Sequence, residues 1–97
     1  MSLRSTPAIA HATLPGGGSV TVWVGVPDDS YVSHADERNV DLQLREGDEV
    51  LASVTTVLDP EQESEAHALA REVQGALEAG EAALTAAALE PFADRLR

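Results

Sequence analysis

Apolar and polar residues alternate in four stretches of the N-terminal part of the chain, and this alternation predicts four β-strands. In residues 19–26 valine occupies every second position, which is a strong strand signal because successive side chains of a strand point to opposite faces. The same period of two occurs in residues 7–14, 40–45 and 50–58. Glycine-containing turns at 15–18 and 46–48 join neighbouring stretches, so we expect antiparallel hairpins.

The apolar spacing becomes helical after residue 58. Asp59 is a suitable N-cap, Pro60 fits the first helical position, and Gln62 lies where a capping box places a glutamine. The apolar stripe that follows, at i, i+3, i+4 and i+7, consists of Ala66, Leu69, Ala70, Val73 and Leu77. We therefore predict a helix that opens at Asp59 and lies across one face of the sheet.

Two glycines and a second helical stretch come next. Gly75 lies inside the first helix at a local cost of about 1 kcal/mol, which close packing against the sheet would explain. Gly80 is a candidate C-terminal cap. Residues 81–96 are again helical in composition, and we expect Pro91 to kink or restart this helix. Its apolar positions at intervals of four are Leu84, Ala88, Phe92 and Leu96.

The element order is therefore β-β-β-β-α-α. It predicts an α+β fold, with an antiparallel four-stranded sheet and the C-terminal helices packed on one face. The chain of 97 residues is long enough for one domain, so we assign 1–97 to a single domain. Residues 1–6 precede the first predicted strand, and we expect them to be disordered or derived from a tag.

Charge is distributed unevenly along this acidic chain, whose formal net charge is −11. Residues 1–27 carry one charged side chain, Arg4, whereas all 17 acidic residues lie between Asp28 and Asp94. Lysine is absent and the arginines are scattered, so the sequence offers no basic cluster for a phosphate backbone or an anionic membrane surface. We therefore expect neither a nucleic-acid partner nor a membrane partner.

The distribution of apolar residues and the absence of cysteine limit where the protein can be located and what can stabilise it. No apolar run reaches the roughly 20 residues of a membrane span, and the N-terminus lacks a signal-peptide pattern, so we expect a cytoplasmic location. Without cysteine the chain has neither a disulfide nor a thiolate metal ligand. A small core rich in alanine and valine contributes little stability, so we expect self-association, in the simplest case as a homodimer.

Three features between residues 34 and 79 resemble a known group of proteins. An alternating strand at 40–45 leads to a Leu-Asp-Pro turn at 58–60, and an Ala-Arg-rich helix follows at 65–71. This succession is similar to that of small actinobacterial proteins of unknown function whose fold resembles double-stranded RNA-binding domains. The resemblance implies a sheet with a packed helix and implies no activity.

This chain also departs from that group. RNA binding does not carry over, because acids at 59, 61, 63 and 65 stand where such domains have a basic helix N-terminus. The glycine-rich first hairpin and the alanine-rich C-terminal helix are further differences.

The polar loop at 27–39 contains the acidic residues that come nearest to a cation site. Hard cations require several converging oxygens, but the spacing here is not that of a calcium loop, and most such charge runs are simply solvated. We therefore assign no metal and no cofactor, and keep a small-ligand or cation site in this loop as an alternative. Its candidate ligands are Asp28, Asp29, His34, Asp36 and Glu37.

Residues that could catalyse a reaction are not grouped in the sequence. His11, His34 and His67 fall on a strand, a loop and a helix, without the spacing of a zinc site. Ser30 and Ser33 lie near His34 but lack the G-x-S-x-G context of a nucleophile. The sequence therefore predicts no enzyme and no catalytic residue.

The function that the sequence favours is protein–protein contact, with self-association first. The first hairpin is uncharged and rich in valine, so its edge is poorly defended against pairing with another strand. Trp23 lies on the less apolar face of its strand, where it either caps the core or forms the interface. Leu84 and Phe92 are further interface candidates.

A second alternative is an acidic regulator that binds a basic partner protein. The first predicted helix carries an acidic face for such a partner, although faces of this kind are most often solvated. Its members are Glu61, Glu63, Glu65, Glu72 and Glu78.

Overall fold

The computed structural model describes residues 6–26, 40–59 and 61–94. These residues form one antiparallel four-stranded sheet in chain order followed by two helices, which confirms the α+β prediction. The strands are β1 (Ala8–Thr13), β2 (Ser19–Gly25), β3 (Asp41–Glu46) and β4 (Glu49–Thr55). The helices are α1 (Glu63–Glu78) and α2 (Ala86–Asp94). The predictions made for residues 1–5, the 27–39 loop, Pro60 and Leu96 lie outside the described residues.

One face of the sheet, called the helix face below, packs against α1 and α2. Val22 and Val24 of β2 are fully buried there, as the alternation predicts. Helix α1 lies against β1 and β2, and α2 lies against β4. The stripe predicted for α1 is buried in the same core without exception. The fold thus rests on the valines of β2, the leucines of β3 and the apolar stripe of α1.

The outer half of the sheet is less regular than the sequence predicts. Strand β4 ends at Thr55, short of the expected Leu58, and the pairing of β3 with β4 shifts by one residue so that Leu51 is skipped. The ladder continues to Thr56, whose N–H and hydroxyl both donate to the carbonyl oxygen of Val40, at 2.8 and 2.7 Å. The edge of the sheet at β4 is therefore a short regular stretch that follows a β-bulge.

The predicted start of α1 is wrong by three residues. The N-cap is Gln62 rather than Asp59, and no side-chain hydrogen bond caps the helix. Asp59 and Gln62 instead close a separate turn, since the Asp59 N–H donates to Gln62 Oε1 at 2.8 Å and the Gln62 N–H donates to the Asp59 carbonyl at 3.0 Å. The bond from the Asp59 N–H to Gln62 Oε1 is one half of the predicted capping box, but here it closes a turn that precedes the helix.

Gly75 within α1 and Gly80 just after it have different roles. Gly80 ends the helix in a left-handed conformation with φ of 74°, as predicted. The Glu81 N–H donates to the Ala76 carbonyl and the Gly80 N–H to the Leu77 carbonyl, which together form a Schellman motif. Gly75 does not pack against the sheet, because a Cβ atom built on it meets no atom within 4 Å. The packing explanation for Gly75 is therefore wrong.

Helix α2 begins at Ala86, five residues after the predicted start. The hydroxyl of Thr85 accepts a hydrogen bond from the Ala88 N–H at 3.2 Å, which caps the helix at its first turn. Pro91 lies inside the helix and does not end it. Leu89 is fully buried although it lies off the predicted stripe, and Phe92 of the stripe is also buried.

Candidate functional site

The second face of the sheet, opposite the helix face, is built around Trp23. Its indole ring lies between Ile9 of β1 and Gln43 of β3 in the strand register. The guanidinium carbon of Arg45 is 4.1 Å from the ring centroid, and Arg45 Nε donates to Gln43 Oε1 at 2.8 Å. Trp23 and Gln43 are only 8% and 7% exposed. A cation–π contact therefore covers this tryptophan within the single chain.

None of the three predicted interface residues is exposed. Trp23 and Phe92 are buried and Leu84 is half-buried, with Phe92 and Leu84 both packed on the core. Their interface role stays a prediction. Since each already makes contacts within its own chain, none of them offers a partner a large free area.

Asp41 lies partly buried where β3 begins. Burial raises the pKa of its carboxyl above the ordinary value, and a hydrogen bond with the Thr55 side chain opposes that rise. The two residues are register partners across β3 and β4. This acid is thus held in place by the edge strand.

Large exposed hydrophobic side chains occur only at the borders of the sheet, as far as the structure describes the chain. Ile9 of β1 is 48% exposed, Val50 of β4 is 46% exposed, and Val57 just after β4 is 50% exposed. Both outer strands of the sheet therefore present apolar groups beside an unpaired backbone edge.

The edge of β1 is partly closed by α1. In the antiparallel register with β2, Ile9, His11 and Thr13 direct their backbone groups away from β2. Gln74 Nε2 donates to the His11 carbonyl at 2.7 Å, and the Thr13 N–H donates to Glu78 Oε2 at 3.1 Å. The sequence predicts that this edge is open to pairing with another strand. Two of its backbone groups are nevertheless hydrogen-bonded to side chains of α1.

The edge of β4 has no such cover from the described part of the chain. Ser53 and Thr55 direct their backbone N–H and C=O groups outward, because Ala52, Val54 and Thr56 face β3. The side chains of Ser53 and Thr55 are exposed. Residues 50–58 contain no charged residue, although the chain as a whole is strongly acidic.

A groove of about 580 Å³ runs between α1 and the segment that leads into α2. Its volume falls within the range of ligand pockets. Small side chains such as Ala76 and Ala88 line it together with Phe92, and Arg71, Glu72 and Glu81 supply its charged groups. These lining residues include no serine, cysteine or histidine.

The described histidines do not form a site. His11 Nδ1 lies 3.3 Å from the Thr21 hydroxyl on the second face of the sheet, and His67 is exposed on α1. No group of three metal-ligating side chains occurs among the residues placed by the structure. The cation candidates Asp28, Asp29, His34, Asp36 and Glu37 all lie outside the described residues.

No protein-family model, curated protein or solved structure matches this chain. The resemblance to proteins with a double-stranded-RNA-binding-like fold therefore stays a prediction. Within the three described segments, no helix is long and apolar enough to span a membrane.

Proposed function

We propose that this protein acts by protein–protein contact and that its first partner is a second copy of itself. The observation that carries the proposal is the position of the large exposed hydrophobic side chains, Ile9, Val50 and Val57, at the two borders of an open sheet. Pairing through one sheet edge would satisfy free backbone groups and remove the exposed side chains at that border from water together.

The size and composition of the core support the same proposal. Much of the buried set consists of alanine and valine, and the described residues include one tryptophan and one phenylalanine in it. Burial contributes roughly 25 cal/mol per Å² of apolar surface, so small side chains stabilise a domain less than large ones do. Association would add buried surface that this short chain does not provide alone.

The test is the molar mass in solution, measured by light scattering on a size-exclusion column over a wide range of loading concentrations. We expect the mass to rise toward twice the 10.2 kDa of the chain as the concentration increases. A mass that stays at the monomer value throughout that range would overturn the proposal.

A further inference from the structure

We propose that the two copies join by antiparallel pairing of their β4 edges, with the twofold axis at Ser53. The inference rests on the proposed function, since it names the surface and the register of the self-association. It would combine two four-stranded sheets into one continuous sheet of eight strands.

The choice of β4 over β1 follows from what covers each edge. On β1, the side chains of Gln74 and Glu78 already bond the His11 carbonyl and the Thr13 N–H. A second strand would have to displace both contacts before it could pair there. On β4, no described side chain bonds the outward backbone groups of Ser53 and Thr55, so pairing there breaks no hydrogen bond of the described residues.

The register follows from the limits of the usable stretch. Val50 is the first uncharged residue of the edge, and Thr56, which bonds the Val40 carbonyl next to β3, is the last residue of the ladder. The midpoint of residues 50–56 is Ser53, whose N–H and C=O both point outward. Antiparallel pairing about Ser53 therefore aligns the whole uncharged stretch with its symmetry mate and gives two central backbone hydrogen bonds.

This register also keeps like charges apart. Glu49 of one copy would lie opposite Val57 of the other. The two Glu49 residues would be eight positions apart along the paired strands, or about 27 Å at ~3.4 Å per residue. That separation exceeds the Debye length of ~8 Å at physiological ionic strength. A parallel pairing would instead place the two Glu49 carboxylates side by side.

The difference between the two edges also limits the size of the assembly. Pairing of β4 with β1 of the next copy would repeat without end and give a fibre, whereas pairing of β4 with β4 closes after two copies. Since α1 occupies groups on the β1 edge, the fibre is disfavoured. The β-bulge at Leu51 shortens the ladder, so we expect a concentration-dependent dimer rather than a permanent one.

The first test uses single cysteines, for which the chain is well suited because it contains none. In the proposed register the two Ser53 Cα atoms are about 5.5 Å apart, within the range that a disulfide spans. Mild oxidation should therefore cross-link Ser53→Cys into a covalent dimer, seen on a non-reducing gel. Thr55→Cys is the matched control, since its two Cα atoms would lie about 14 Å apart along the strands.

The cysteine variants also identify other interfaces. Efficient cross-linking of Thr55→Cys with little of Ser53→Cys would overturn the register. Ile9→Cys, on the β1 edge, should not form cross-links. Efficient cross-linking of Ile9→Cys with little cross-linking of Ser53→Cys would show that β1 is the interface.

The second test places a charge at the same point. Ser53→Lys would bring two like charges directly opposite each other, so we expect this variant to remain monomeric at concentrations where the unmodified chain is dimeric. Ser19→Lys is the control, because it makes the same change at an exposed strand position on β2, away from both edges. Circular dichroism checks that both variants fold.

The outcomes separate the inference from the proposed function. If both lysine variants dimerise like the unmodified chain, the β4 interface is wrong and self-association stands. If the unmodified chain is monomeric at every concentration, both proposals fail. Loss of the dimer in Ser53→Lys but not in Ser19→Lys supports both.

Discussion

Asp41 shows how one partly buried side chain makes stability depend on pH. Burial raises the pKa of its carboxyl in the folded chain above the ordinary value of 3.8. Between that value and the folded pKa, the folded state holds a proton that the unfolded chain has lost, so stability falls as the pH rises through this window. Above the folded pKa the full desolvation penalty remains.

Asp41→Asn should therefore raise the free energy of unfolding at pH 7, because asparagine carries no charge to desolvate. The gain should disappear as the pH is lowered well below 3.8, where the unmodified carboxyl is protonated in both the folded and the unfolded chain. Urea unfolding at neutral and acid pH, at one protein concentration, measures both effects. Asp48→Asn is the control, since Asp48 is exposed in a turn that suits asparagine equally well. An equal gain in the two variants would contradict the role of burial.

Gly75 within α1 and Gly80 just after it should respond in opposite directions to the same substitution. Gly75→Ala should raise the free energy of unfolding by about 0.5–1 kcal/mol, because alanine favours a helix interior and its Cβ meets open space. Gly80→Ala should lower it by about 1–2 kcal/mol, because alanine strains at a positive φ. Chemical denaturation measures the free energy of unfolding of both variants. A gain in Gly80→Ala would refute the assignment of the C-cap, and a loss in Gly75→Ala would contradict the open space at that position.

Strands and helices could be predicted from the sequence wherever the apolar residues recur with a clear strand or helix period. Alternating valines located β2, and the stripe from Ala66 to Leu77 located the buried face of α1. The starts of the helices could not be predicted as accurately. Asp59 and Gln62 are compatible with both a capping box and a tight turn, and in the structure they form the turn. Thr85 is a good N-cap by residue type, but the alanines before it are equally compatible with a longer helix.

The candidate site could not be predicted from the pattern of neighbouring residues in the sequence. The sequence pointed to the uncharged first hairpin as the open edge, and the same lack of charge occurs in residues 50–58. What distinguishes the two edges is the contact of Gln74 and Glu78 with β1, which joins residues 63 and 65 positions apart in the chain. Contacts between residues so far apart in the chain leave no periodic pattern in the sequence. Trp23 is a similar case, since the cover from Arg45 depends on strand register.

The overall charge makes a prediction about the dimer itself. Two copies with a net charge of −11 each repel one another, while the proposed interface consists of backbone and uncharged side chains. Raising the ionic strength from ~0.01 M to ~0.1 M shortens the Debye length from ~30 Å to ~10 Å and weakens that repulsion. We therefore expect the dimer to become several-fold tighter with added salt, as measured by the concentration dependence of the scattered-light mass.

The direction of this salt effect separates self-association from the acidic-regulator alternative. A complex between the acidic face of α1 and a basic partner rests on opposite charges, so salt would weaken it. Ser53→Lys is the control, because it should remain monomeric at both salt concentrations if salt acts through the β4 interface rather than through general aggregation. A dimer that dissociates as salt is added would mean that ion pairs hold the two copies together, and residues 50–58 contain no charge that could form them. The interface would then have to be sought on the charged surfaces of the helices.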